Sequence, residues 1–319
     1  MKYFLRKTAI FCFILGCITL LLMLVSNRII DKGDYFKIKN TTKYIILGHS
    51  HAECDYNDLI ISGLENFGQS SEIYYYTYLK TKKIIEANPQ VKTVFIEFTN
   101  NRIDKEKGYN IWSDKYLSLR YSLYAPLMNF EDVVSMFIHN PKAILNSQFL
   151  SFKENLLFFL KSDPNFINHK RWGGYLYLNR DKTDSLVKTL PKDTTVKYVV
   201  PELSDPNMGY LSQTIDFCTQ HQVAVYLIRS PLHPRWPNLN NEPSFQKLLK
   251  TKFATVEFLD FKNFPLKTTE YGDLNHLNHK GAKIYSQFFD RLLKAGLLSK
   301  TNKQEFINTE IEAVRKESH

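Results

Sequence analysis

The stretch Lys43-Tyr44-Ile45-Ile46-Leu47-Gly48-His49-Ser50-His51 decides how this chain reads. Lys43 to Leu47 is a short, apolar run with β-branched residues at its centre, the pattern of a strand buried on both faces of a parallel sheet. Gly48 ends the run. Open α/β sheets place their ligand sites beyond the carboxyl ends of the strands, so Ser50 stands where a reactive hydroxyl is useful. The glycine permits the tight turn that exposes it. Taken alone the pattern is weak, because a serine at such a turn commonly just caps the following helix.

Working outward, comparable runs recur at Val91 to Phe98, Val223 to Ile228 and Thr255 to Leu259, and helical spacing appears at Ile73 to Ala87 and Ser244 to Lys252. Strand and helix in alternation predict an α/β fold, a three-layer α/β/α sandwich around a flavodoxin-like parallel sheet. The middle, from about Lys105 to Pro201, breaks the rhythm: Glu131 to Ile138 and Phe152 to Leu160 are helical, strand signals are few, and a helical insertion at about 105–200 is expected. The tail from Thr301 carries Phe306, Ile307 and Ile311 among charges and reads as a surface helix.

Bulk composition sets limits. With 44% hydrophobic residues among 319, and 23% charged, the chain can bury one large core or two modest ones, and its bulk should fold. The formal charge of +10 suggests an anionic partner or surface. Its distribution argues against nucleic acid: Lys80-Thr81-Lys82-Lys83 and His169-Lys170-Arg171 have acids nearby, and no zinc-finger, helix-turn-helix or RNP pattern appears. From Thr8 to Val25 no residue is charged, while Lys2, Arg6 and Lys7 precede that stretch and Arg28 follows it. This predicts one transmembrane helix with a cytoplasmic N-terminus and everything after Arg28 exported. The expected division is an anchor at 1–28, a linker at 29–42, an α/β domain at 43–300 and a tail at 301–319. Only Cys54 and Cys218 fall in the exported part, so no disulfide framework is implied, and whether those two are bridged stays open.

The chemistry comes from Gly272-Asp273-Leu274-Asn275-His276-Leu277-Asn278-His279-Lys280-Gly281-Ala282, ahead of an apolar helical pattern. Asp and His three apart in one turn can touch. A carboxylate on one imidazole nitrogen fixes the tautomer and leaves the other to take a proton from a serine hydroxyl.

Together these segments resemble the SGNH, or GDSL, hydrolase family. Gly48-His49-Ser50-His51 is similar to its first block and Asp273-Leu274-Asn275-His276 to its last; Asn66-Phe67-Gly68 and Phe98-Thr99-Asn100-Asn101 fall where the second and third blocks belong. The resemblance implies Ser50 as nucleophile, His276 as base and Asp273 as its orienting carboxylate. It also implies an oxyanion hole from the N–H groups of Ser50 and Gly68 and the side chain of Asn100, with Asn101 as the alternative. His49 replaces the family's aspartate before the serine, and Phe98 the glycine of the third block. These departures resemble the membrane-anchored cell-envelope branch, which includes alginate O-acetylation and D-alanyl-lipoteichoic acid transfer proteins. That branch implies a serine esterase or O-acyltransferase, without cofactor or metal, acting on acyl esters of envelope glycans. It further implies a bacterial inner or cytoplasmic membrane, an outward-facing catalytic domain and a membrane acyl-transport protein as partner. His51 and His233 are expected to line the substrate pocket.

Two other classes remain open. His49-Ser50-His51 is an H-x-H at a strand end, and with His276 it suggests a metal-dependent hydrolase, although Glu53 and Cys54 depart from the usual continuation. A catalytically silent module of the same fold, binding glycan or scaffolding a complex, is the third reading.

Overall fold

The computed structural model describes residues 1–31, 36–105, 111–161, 172–190 and 198–317. The chain forms two compact units, Met1–Tyr35 with Ile111–Asn168, and Phe36–Asn110 with His169–His319. The larger unit is a mixed α/β structure. Its five-stranded sheet comprises β1 (Tyr44–Leu47), β2 (Leu64–Asn66), β3 (Thr93–Glu97), β4 (Ala224–Arg229) and β5 (Glu257–Asp260). The order is β2-β1-β3-β4-β5 and every pairing is parallel, as in flavodoxin-like sheets.

Burial on both faces explains the apolar runs. Ile45, Ile46 and Leu47 of β1 and Val94, Phe95 and Ile96 of β3 are fully buried although alternate residues point to opposite faces. The helices include α1 (Lys2–Asp31), the short α2 (Ser50–Asp55), α3 (Tyr74–Ala87), α4 (Phe130–His139), α5 (Pro141–Lys161), α6 (Asp205–Gln220), α7 (Glu242–Lys250), α8 (His279–Lys294) and α9 (Lys303–Glu317). On one face Ile46, Phe95, Ile228 and Leu259 form a single core with Tyr285, Phe288, Phe289 and Leu292 of α8. The C-terminal segment joins that core: Ile307 and Ile311 of α9 are buried within it, so this charge-rich helix is an integral element of the domain. Helices α3 and α6 pack on one another, and α6 packs on β4.

The sheet places Ser50 at its topological switch point. β1 has β2 on one side and β3 on the other, and Ser50 opens α2 directly beyond the carboxyl end of β1. An antiparallel bridge between Asp104 and Leu203 pins the two ends of the intervening segment. In the smaller unit, α1 is 30 residues long and apolar enough to cross a membrane, and its last turns pack on α5. His169, Lys170 and Arg171 lie outside the described residues, as does part of the expected linker, residues 32–35.

Candidate active site

Ser50 is the first residue of α2. His49 precedes it as N-cap, its Nδ1 accepting the His51 N–H at 3.4 Å. Gly48 is obligatory in two ways: its φ is +137°, and a Cβ there would lie 2.7 Å from the Glu97 Cβ on the adjacent strand. The loop carrying Asp273 and His276 is fastened separately. A bridge between Tyr271 and Leu277 closes it, Leu277 N–H donates to the buried Asp55 carboxylate at 3.1 Å, and Asn278 caps α8.

These anchors bring together residues 226 apart in sequence. Ser50 Oγ donates to His276 Nε2 at 2.7 Å, and His276 Nδ1 donates to Asp273 Oδ1 at 3.0 Å. Asp273 Oδ1 also accepts the backbone N–H groups of Asn275 (2.7 Å) and His276 (2.9 Å), which fixes the carboxylate to its own turn. Burial would raise the Asp273 pKa, but the hydrogen bond and charge of His276 outweigh it and hold it at about 2. Burial lowers that of His276, only partly opposed by Asp273, with the charges of His51 and Arg180 lowering it further. The imidazole is therefore neutral near pH 7, with its Nε2 lone pair toward the serine.

Beneath this row lies a second, fully buried one. Glu97 ends β3 in contact with both His49 and His51, its Oε1 3.2 Å from His51 Nδ1 and its Oε2 against His49 Nε2. His51 Nε2 donates to Asn275 Oδ1 at 2.9 Å, and Asn275 Nδ2 reaches to 3.3 Å of His276 Nε2. Both nitrogens of His51 thus face acceptors, so this ring is the charged one. Burial lowers its pKa, yet hydrogen bonding to Glu97 and the Glu97 charge raise it overall. Burial likewise lowers that of His49, and the positive Arg102 reinforces this, leaving it neutral. The two histidines hold Glu97 well below the usual carboxylate range against the opposing effect of burial.

Other residues singled out in the sequence fall elsewhere. A Cβ on Gly68 would lie 2.3 Å from Glu53 N, so only glycine lets this loop approach α2; the Gly68 N–H donates to Asn66 Oδ1 at 2.7 Å. The amide of Asn100 is fully engaged: Oδ1 accepts from Arg229 Nη1 at 2.8 Å, while Nδ2 donates to Glu242 (2.7 Å) and Asn241 (3.1 Å). Asn101 differs, because Oδ1 accepts the Thr99 hydroxyl at 2.7 Å and its NH₂ makes no side-chain hydrogen bond among the described residues. His51 is 0% exposed and belongs to the buried row rather than to a pocket wall. His233 is buried edge-on to Tyr271, its Nδ1 accepting the Arg235 N–H at 3.1 Å. Cys54 and Cys218 are both free and buried.

Sequence reasoning missed Glu97, Asn275 and Arg180. Arg180, partly exposed, contacts Asp273 Oδ2 and comes within 3.4 Å of His276 Nδ1. Among the described residues, His49, His51 and Glu97 also form a group able to hold a cation, their ligand atoms within 4.8 Å of one another. His276 is outside that group, with Nδ1 on Asp273 and Nε2 on Ser50.

A protein-family model that carries no descriptive name matches residues 176–298, less than half of the chain, a span that includes Arg180, Asp273 and His276. No curated protein matches the sequence. Among solved structures, the chain is similar to a protein of Bacteroides fragilis NCTC 9343 provisionally named an acylhydrolase. The two share 10% identity with a TM-score of 0.37, over 86% of this chain and 90% of that one, a likeness too loose to assign a fold or a function.

Proposed function

We propose that this protein is a membrane-tethered, exported serine esterase or O-acyltransferase of the SGNH type, acting on acyl esters of cell-envelope glycans. One observation carries the chemistry: the continuous row Ser50 Oγ, His276 Nε2, His276 Nδ1 and Asp273 Oδ1, at 2.7 and 3.0 Å, at the carboxyl end of the central strands. Ser50 attacks the ester carbonyl while His276 takes its proton, then returns it to the departing alcohol; Asp273 stabilises the imidazolium between those steps. Ser50 N–H, in the first turn of α2 and so without an intrahelical acceptor, is one oxyanion donor. Asn101 is the side-chain donor in this reading, because the Asn100 amide is committed to Arg229, Glu242 and Asn241. Water as second substrate gives hydrolysis, and a sugar hydroxyl gives transfer. The glycan substrate, the outward-facing domain and an acyl-transporting partner rest on the family resemblance and on α1, which is long and apolar enough to cross a membrane.

Treating the full chain with a fluorophosphonate probe, alongside Ser50→Ala and His276→Ala, with and without a chelator, tests the reading. Labelling that requires both residues and ignores the chelator supports it. Labelling absent from wild type, with a tightly held metal in the purified protein, transfers the chemistry to His49, His51 and Glu97. Neither signal leaves a silent binding module.

A further inference from the structure

Helix α5 is amphipathic the wrong way round for a helix facing water. Its buried side carries Ser147, Gln148, Ser151 and Asn155 together with Ile144 and Phe158, whereas Leu145, Phe149, Leu156 and Leu160 are 60, 60, 45 and 70% exposed. Those four share one helical stripe, at spacings i, i+4, i+11 and i+15. Helix α4, which packs on α5, also turns apolar residues outward, with Phe130, Val134, Phe137 and Ile138 exposed and Met136 buried. Two adjoining helices with outward apolar stripes make a surface that water does not favour.

The buried polar side is tied to α1 and Tyr121 by hydrogen bonds, although Asn155 Oδ1 has no partner among the described residues. Asn155 Nδ2 donates to Asn27 Oδ1 (2.8 Å) and Ser26 Oγ (3.2 Å) of α1, Ser151 Oγ donates to Asn27 Oδ1 (3.1 Å), and Tyr121 Oη donates to Gln148 Oε1 (2.8 Å). A buried side rich in small and polar side chains joined by hydrogen bonds, with most of the Leu and Phe outside, is how helices pack when their surroundings are hydrocarbon. The attachment point agrees. Ser26 and Asn27 directly follow the uncharged stretch Thr8 to Val25, so α5 is fixed to α1 where that stretch ends. Exposed Lys142 and Lys153 border the α5 stripe, suited to reaching headgroups from a helix lying along the membrane surface.

We infer that α4 and α5 lie in the interfacial layer of the bilayer that α1 crosses, with Phe130, Val134, Phe137, Ile138, Leu145, Phe149, Leu156 and Leu160 among the acyl chains. This rests on α1 being a membrane span, and the test separates the two. In the full chain carrying Cys12→Ser and Cys17→Ser, nitroxide labels are placed singly through Leu21→Cys, Ile138→Cys, Phe149→Cys, Leu160→Cys and Lys188→Cys. The protein is reconstituted in phosphatidylcholine–phosphatidylglycerol vesicles, and each label's collision rates with oxygen and with a water-soluble nickel chelate are compared. Oxygen exceeding nickel severalfold at 21, 138, 149 and 160, with the reverse at 188, supports the proposal. Lipid exposure at 21 with 138, 149 and 160 behaving like 188 overturns it while leaving the anchor. Water exposure at 21 removes both. Shielding of 138, 149 and 160 from both reagents also overturns it, placing a second copy or another protein on these stripes.

Discussion

Replacing His51 with glutamine tests whether the buried row tunes the reactive one. His51 faces acceptors at both nitrogens, Glu97 Oε1 at 3.2 Å and Asn275 Oδ1 at 2.9 Å, so it carries a positive charge. Its ring centroid lies 5.3 Å from that of His276, edge to face. Two unit charges at that separation interact by roughly 0.8 kcal/mol under full aqueous screening and about 3 kcal/mol at an effective dielectric constant of 20. Glu97 carries the opposite charge and cancels part of the field, so the lower figure applies, equivalent to roughly 0.6 pH unit at His276. A positive neighbour disfavours a second imidazolium and holds the His276 pKa down; removing it lets that pKa rise. His276 accepts the Ser50 proton only when neutral. The acid limb of the pH–rate profile therefore moves to higher pH in His51→Gln, and at pH values on that limb the rate falls roughly fourfold relative to wild type. The second-order rate of fluorophosphonate labelling, measured on the full chain in detergent between about pH 5 and 9, reads this directly. A limb that stays in place, or moves to lower pH while the alkaline plateau is kept, would refute the argument that His276 feels the His51 charge.

Three further outcomes follow from other contacts. Asn101→Ala should slow labelling about 10² to 10³-fold with little loss of stability, whereas Asn100→Ala should cost about 1–3 kcal/mol in urea unfolding because the buried Arg229 and the part-buried Glu242 each lose one of their hydrogen bonds, with labelling per folded molecule kept. The opposite pattern would put Asn100 in the oxyanion hole. Gly68→Ala should destabilise by about 1–3 kcal/mol, read as a lowered unfolding midpoint, because its Cβ would sit 2.3 Å from Glu53 N; an unchanged midpoint would mean that α2 yields without cost. For Glu97→Gln the cost should depend on pH: the lowered Glu97 pKa stabilises above its ordinary 4.5, the raised His51 pKa stabilises below its ordinary 6.5, and both act fully only between those values. Unfolding free energies at pH 5.5 and pH 8 should show the larger loss at pH 5.5, and equal losses would contradict a His51 pKa raised by Glu97.

What could be read from the sequence follows the range of the forces involved. β1, β3, β4 and β5 announce themselves because a strand covered on both faces must be apolar at every position, and Tyr44–Leu47 and Thr93–Glu97 nearly are. β2 is three residues, Leu64-Glu65-Asn66, and exists through its pairing with β1, in the register Tyr44 to Leu64, so no local pattern reveals it. α6 was hidden for a similar reason. Gly209 and a run of Ser, Gln and Thr blur its periodicity, while it is held through Asn207, which accepts the Tyr74 N–H at 2.9 Å and donates to Arg102 O at 3.2 Å.

The site divides along the same line. Asp273 and His276 lie in one turn, so their contact could be argued from spacing alone. Nothing local joins them to Ser50, and only the likeness of separate blocks to a known family made that link. Arg180 carries no signal at all, since it reaches Asp273 from a segment with no regular pattern. Glu97 is different, because it was visible and went unread. A carboxylate inside Val94-Phe95-Ile96-Glu97-Phe98 sits where both neighbours must be buried, and a buried charge persists only with a partner of opposite sign or strong donors. The chain offers few such partners at the ends of the adjacent strands, and His49 and His51, two and four residues beyond β1, are at the right level to provide them. An acid in an otherwise apolar central strand is thus itself a prediction of a buried base on the strand beside it. Here His51 supplies the counter-charge and His49 a neutral partner, and the same pair with Glu97 forms the group able to hold a cation.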